Sequence, residues 1–269
     1  MRMKGFEGVR QPLEEGCRLT RVFAENEKTD VPVMIFPGWT GGSETYAVNM
    51  DAFATEGRSS VMVELLEDQL DSDIQHNLKC AFEYNNVING SNLEKIDAVG
   101  YSEGALNLIV AAILNPEKFN NIVLISPVGL SDNVSKTDLA VNFSREVVSG
   151  FFDWLKTEKG REMMMGVSKS VIGRLVGSPI KSWKQVLGMT NVNLVEELKA
   201  LREQGVGVSI VHGVNDKLIS TDDMQKLLNQ EAIDDLHLFE GSHPDFLFKA
   251  EECTKIVDDA LDKLSAKKP

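Results

Sequence analysis

Ser102 stands between two glycines in "GYSEG", residues 100–104, where the apolar run "IDAV" at 96–99 gives way to a helical pattern of Leu106, Ile109, Ala112 and Ile113. A serine hydroxyl is a poor nucleophile until a base takes its proton, and the base works best when a carboxylate fixes its tautomer. The bare G-x-S-x-G spacing arises by chance in roughly one chain in ten of this length at ordinary glycine and serine frequencies. A strand before it and a helix after it give the pattern its specificity, because a sharp strand-to-helix turn displays the side chain away from its own backbone. Gly100 and Gly104 supply the close approach such a turn needs. The plainer reading is a glycine turn that the serine merely fills.

The chain has four histidines. His76 lies inside a helical pattern, His237 within a strand run, and His212 closes a strand in "VHG". His243, in "EGSHPDF", follows the last strand in a Gly/Ser/Pro loop, and loops at strand carboxyl ends are where open α/β sheets place their sites. For the acid, "VHGVNDKLIS" offers Asp216 just past a strand end; read alone, this aspartate would be a turn residue. Asp245 competes, but it sits too close to His243 along the chain to orient the ring easily. Asp132 is a weaker third candidate.

An acyl-transfer site also needs donors already in place for the charge that develops on the carbonyl oxygen. The backbone N–H of Glu103, next to Ser102, is one candidate. The Gly-rich "FPGWTGGSE" leaving the strand at 33–36 offers the other, assigned to the N–H of Trp39. That loop otherwise reads as a tight turn into a helix capped by Ser43.

These residues need a scaffold, and the apolar pattern supplies one. Short runs recur: "VMIF" at 33–36, "VMVELL" at 61–66, "IDAV" at 96–99, "IVLI" at 122–125, "VSIV" at 208–211 and "LHLF" at 236–239. Runs of this kind suit parallel strands buried on both faces. Helical spacings lie between them: Tyr46, Met50 and Phe53; Ile74, Leu78, Ala81, Phe82 and Ile88; and, after the last strand, Cys253, Ile256, Val257, Ala260, Leu261 and Leu264. Alternating strands and helices predict a parallel sheet covered on both sides. A hairpin around "CRLTRVFAE" adds antiparallel strands at one edge. From about residue 130 to 203 no strand pattern appears, only Met-rich and aromatic helical stretches such as "FFDWLKTEKGREMMMG". That is too long for a structureless loop, so a helical insertion is expected.

Composition narrows the partners. Lys and Arg total 28 against 41 Asp and Glu, a formal net charge of −13, which opposes binding to phosphate backbones and anionic lipid surfaces. No nucleic acid partner and no membrane insertion are expected. Three widely spaced cysteines lack a metal-ligand rhythm and read as reduced thiols. The opening "MRMKGFEGVRQ" lacks the apolar core of a secretory signal, and no stretch nears the roughly 18 apolar residues of a membrane span. A cytoplasmic protein is expected, for which a homodimer is compatible.

Taken in order and spacing, "FPGWTGG", "GYSEGA", "HGVNDKLIS" and "GSHPDF" resemble the α/β-hydrolase superfamily, specifically its capped serine hydrolases. The resemblance covers roughly residues 30–128 and 204–265. It implies an α/β fold with a mostly parallel eight-stranded sheet, helices on both faces and a helical cap inserted after the sixth strand. The chain would divide into a first core part at 1–128, a cap at 129–203 and a second core part at 204–269. The resemblance also implies a triad of Ser102, Asp216 and His243, in that chain order, and neither metal nor organic cofactor. Two positions depart from the usual pattern: Pro37 stands where histidine is common, removing a backbone donor, and Ala105 stands where glycine is common.

In capped members the insertion roofs the triad. Phe151, Trp154, Met164, Trp183 and Met189 are the candidates to line it, since flexible methionines and flat aromatics suit apolar ligands of variable shape; for any one of them plain cap packing is the alternative. Glu103 and the net charge disfavour anionic substrates. By analogy with the commonest chemistry on this arrangement, the expected activity is cleavage of carboxylic esters of an apolar, largely uncharged small substrate through an acyl-enzyme. The alternatives are a carbon-carbon bond hydrolase of ring-cleavage dienones, or a small-molecule receptor that keeps slow hydrolase chemistry.

Overall fold

The computed structural model describes residues 11–13, 17–38, 41–65, 74–91, 93–130 and 193–268. The strands are β1 (Gln11–Leu13), β2 (Cys17–Val22), β3 (Val33–Phe36), β4 (Ser60–Leu65), β5 (Ile96–Tyr101), β6 (Phe119–Ile125), β7 (Gly207–Gly213) and β8 (Asp235–Phe239), the six apolar runs forming β3 to β8. They form one eight-stranded sheet in the order β1-β2-β4-β3-β5-β6-β7-β8. β1 and β2 pair antiparallel at one edge, and all strands from β4 onward run parallel. This is the mostly parallel sheet and antiparallel edge that the residue pattern predicts.

The central strands are apolar on both faces because both faces are covered. Every residue of β3, β5 and β7 is buried. Met34, Ala98, Ile122 and Ile210 point into one core and Ile35, Val99, Val123 and Val211 into the other, the alternation that a strand's two-residue period imposes. One face is covered by α2 (Ile74–Gly90), α3 (Glu103–Leu114), α4 (Val195–Glu203) and α5 (Thr221–Asn229), which contribute Tyr84, Leu108, Leu198 and Leu227 to the first core. The other is covered by α1 (Ala47–Thr55), the short α6 (Asp245–Phe248) and α7 (Ala250–Ala266), through Met50, Phe53, Phe246 and Leu261.

Two details differ from the sequence pattern. On α2, Leu78 and Phe82 were expected to face inward but are 41% and 55% exposed, because the helix turns Cys80, Ala81, Tyr84 and Ile88 toward the sheet. Within the stretch expected as cap, residues 195–203 form α4, whose Leu198 and Leu201 lie fully buried in the sheet's own core. That helix serves as the crossover into β7. The remainder of the expected cap, 131–192, lies outside the described residues.

Cys80 and Cys253 are buried thiols outside any disulfide. Burial pushes both up to about 12, so neither is a thiolate near neutral pH. Among the described residues no helix is long and apolar enough to cross a membrane, and no group of three or more His, Cys, Asp or Glu is placed to hold a metal ion.

Candidate active site

A parallel sheet brings the loops after its strands to one edge, and the chemistry-bearing residues of the sequence sit in those loops. Ser102 follows β5 directly and caps α3 with φ 54° and ψ −117°. A non-glycine residue in that region is strained and persists only where its surroundings hold it. The hold is visible: Ser102 N–H donates to Ile125 O at 2.9 Å, and Ala105 N–H donates to Ser102 O at 3.1 Å. The glycines of the motif are required sterically. A Cβ on Gly104 would lie 2.1 Å from Phe36 O, and one on Gly100 would lie 2.7 Å from Ala105 Cα.

Asp216 lies beyond β7 and His243 beyond β8. Their loops are laced together by Val214 N–H to Phe239 O at 3.0 Å and Asn215 N–H to Gly241 O at 2.9 Å. The backbones are so close that a Cβ on Gly213 would come within 2.5 Å of Gly241 O. This places the two side chains in register across 27 residues of sequence. His243 Nδ1 lies 2.8 Å from Asp216 Oδ2, and His243 Nε2 lies 3.0 Å from Ser102 Oγ.

Asp216 is fully buried as a side chain. Its other oxygen, Oδ1, accepts the amides of Leu218 at 2.8 Å and Ile219 at 3.0 Å. Burial alone would raise its pKa, but the charge and hydrogen bond of His243 and the amide of Ile219 outweigh burial and hold the carboxyl below its ordinary range. It is therefore an anion facing Nδ1, which favours the Nδ1–H tautomer and leaves Nε2 free to accept the Ser102 proton. The competing acid, Asp245, is otherwise engaged: its Oδ2 accepts Ser242 N–H at 2.8 Å and lies 3.5 Å from Lys249 Nζ. Asp132, Trp39 and the cap candidates Phe151, Trp154, Met164, Trp183 and Met189 lie outside the described residues. Glu103 is buried as the first residue of α3, with Asn77 Nδ2 donating toward its Oε1 at 3.5 Å.

Several neighbours escaped the sequence reading. Tyr101 donates its hydroxyl to His243 O at 3.0 Å, with the two rings 5.4 Å apart. His212 is fully buried behind the acid, its Nδ1 at 4.0 Å from Asp216 Oδ2 and at 3.4 Å from Ser126 Oγ. Ser126 directly follows β6 with φ 41°. Tyr101 lay inside the quoted motif and His212 ended a strand run. Tyr101 reaches His243, and His212 reaches Ser126, across the sheet rather than along the chain, so spacing did not mark those contacts.

The arrangement can deprotonate a hydroxyl and return a proton through the same imidazole. Solved structures share the fold. An α/β-hydrolase enzyme from the metagenome of lagoon sediments at Mar Chica, Morocco, is 16% identical with TM-score 0.60, covering 94% of this chain and 97% of its own. A carboxylesterase of the thaumarchaeon Nitrososphaera gargenis is 15% identical with TM-score 0.67, covering 97% and 100%. A meta-cleavage product hydrolase from Pseudomonas fluorescens IP01 is 16% identical with TM-score 0.64, covering 92% and 94%. The chain thus has the α/β-hydrolase fold, as its motifs imply. No family model matches the sequence, and neither does any curated protein.

Proposed function

We propose that the protein is a serine hydrolase that cleaves carboxylic esters of an apolar, largely uncharged small substrate. The observation that carries this reading is the continuous relay from Ser102 Oγ to His243 Nε2 at 3.0 Å and from His243 Nδ1 to Asp216 Oδ2 at 2.8 Å. In this mechanism Ser102 Oγ attacks the ester carbonyl as His243 takes its proton. The amides of Glu103 and Trp39 receive the developing oxyanion. Collapse expels the alcohol, protonated by His243, and leaves an acyl group on Ser102. Water, deprotonated by the same imidazole, then releases the acid. Asp216 stays ionised throughout and stabilises the imidazolium.

The remaining assignments belong to the same reading. The cap lies within residues 129–203, ahead of α4, with Phe151, Trp154, Met164, Trp183 and Met189 toward an apolar substrate, and the protein acts in the cytoplasm. A second reading, hydrolysis of a carbon-carbon bond in a ring-cleavage dienone, is supported by the likeness to the meta-cleavage product hydrolase. Steady-state hydrolysis of p-nitrophenyl esters of two to twelve carbons, with Ser102→Ala as control, tests the first reading. Many turnovers by the wild type and none by the variant are expected. Cessation after one equivalent favours a receptor, and activity on a dienone alone favours the second reading.

A further inference from the structure

The loop that leaves β3 toward the site is held at both ends by side chains that the mechanism does not use. Tyr46, 1% exposed, accepts the N–H of Gly38 on its hydroxyl oxygen at 2.8 Å. Glu64, on β4, accepts the N–H of Ser43 on Oε1 at 2.6 Å. Between them Gly41 N–H donates to Gly38 O at 2.9 Å. The glycines are packed against these anchors, since a Cβ on Gly41 would lie 2.6 Å from Tyr46 Cε2 and one on Gly42 would lie 2.8 Å from Glu64 Oε1. The amides of Gly38, Gly41 and Ser43 are therefore committed to internal acceptors. Whatever donor the loop offers a bound carbonyl is none of these three.

Tyr46 is tied to the base as well as to the loop. Its ring lies 6.3 Å from that of Phe246, which lies 5.3 Å from Tyr101, which in turn lies 5.4 Å from His243. Phe246 is itself fully buried, and its carbonyl accepts Asn49 Nδ2 at 3.0 Å. Burial pushes the Tyr46 phenol far up, so it remains a neutral hydroxyl. A packed block therefore joins the start of α1, the residue before the nucleophile and the loop of the base.

We propose that Tyr46 and Glu64 are positioning residues that fix Gly38 and Gly41–Ser43, the described flanks of the loop after β3, beside the oxyanion site. This rests on the ester-hydrolase reading and deepens it. Preorganised donors stabilise a transition state only where they need not move during reaction, and small misplacements of such groups cost up to about a hundredfold in rate. Tyr46→Phe keeps the ring and removes the acceptor of Gly38 N–H. Glu64→Leu removes the acceptor of Ser43 N–H, whereas Glu64→Gln retains an Oε1.

The test is ester hydrolysis with inhibition by an alkylboronic acid, which forms a tetrahedral adduct on a serine. Tyr46→Phe and Glu64→Leu should lower kcat by about ten- to a hundredfold, leave KM within about twofold, and weaken the boronic acid by the same factor as kcat/KM. Glu64→Gln should restore most of the rate. If Tyr46→Phe does not fold, the Glu64→Leu and Glu64→Gln pair decides alone. Wild-type turnover with a lowered melting temperature but unchanged kcat and inhibitor affinity in the variants overturns the positioning role only. Absence of wild-type ester turnover overturns the ester-hydrolase reading and this role with it.

Discussion

Asp216 and His243 meet at 2.8 Å, carboxylate oxygen to Nδ1, with the second oxygen of the same carboxylate anchored by two backbone amides. The acid is thus locked in orientation before it touches the ring. Asp216→Asn keeps an oxygen for Leu218 and Ile219 but can turn an NH2 toward Nδ1, which forces the opposite tautomer and blocks Nε2 as a base. The expected loss in kcat is on the order of 10⁴ with the fold retained. Asp216→Ala leaves the two amides unpaired as well, adding about 1–3 kcal/mol of destabilisation. Kinetics and thermal unfolding of both variants separate these effects.

At the opposite end of the strands, Arg58 is 2% exposed and bridges Asp258 at 2.6 Å and Asp97 at 3.1 Å, with Asp262 on its third nitrogen. Lys28 shares Asp258 and Asp262, tying the segment before β3 to α7. Among the described residues, removing the guanidinium leaves buried Asp97 with no cation beside it and buried Asp258 with Lys28 alone. Arg58→Met should cost about 3–5 kcal/mol of stability, and kcat per folded molecule should not change. Denaturant unfolding beside active-site titration checks both halves.

His212 is a buried imidazole faced by Asp216 and His243, the titratable groups that act on it. Burial outweighs the neighbouring carboxylate and lowers its pKa from 6.5. Below 6.5 the unfolded chain binds a proton that the folded chain resists, so stability falls with falling pH, by at most about 1.4 kcal/mol per pH unit from this group. Its stabilising contribution is complete above 6.5. His212→Gln should flatten the dependence of unfolding free energy on pH between about 7.5 and 5.5. An unchanged slope would show that other groups carry it.

Much of this was legible in the residues. The runs at 33–36, 122–125 and 208–211 became buried strands because apolar residues in unbroken succession suit only strands covered on both faces. Ser102 announced its turn through flanking glycines, since the space they leave is occupied by backbone. Asp216 and Asp245 could not be separated by pattern alone. Their distinction lies in which way each carboxylate points, and that is set by strand-end loops packed across the sheet. Tyr46 read only as a helix-face residue. Its polar role appears when β3 brings Gly38 within reach of the hydroxyl. On α2 the apolar spacing admitted more than one inward face, and the sheet selected the one bearing Tyr84 and Ile88.

The most direct test of Ser102 as nucleophile is to quench the protein during turnover of a p-nitrophenyl ester and map the acyl group by peptide mass. An adduct confined to the peptide carrying Ser102, approaching one equivalent and absent in Ser102→Ala, is expected. Hydrolysis that persists in Ser102→Ala, or an acyl group mapped to another residue, would remove Ser102 from the chemistry and the proposed mechanism with it.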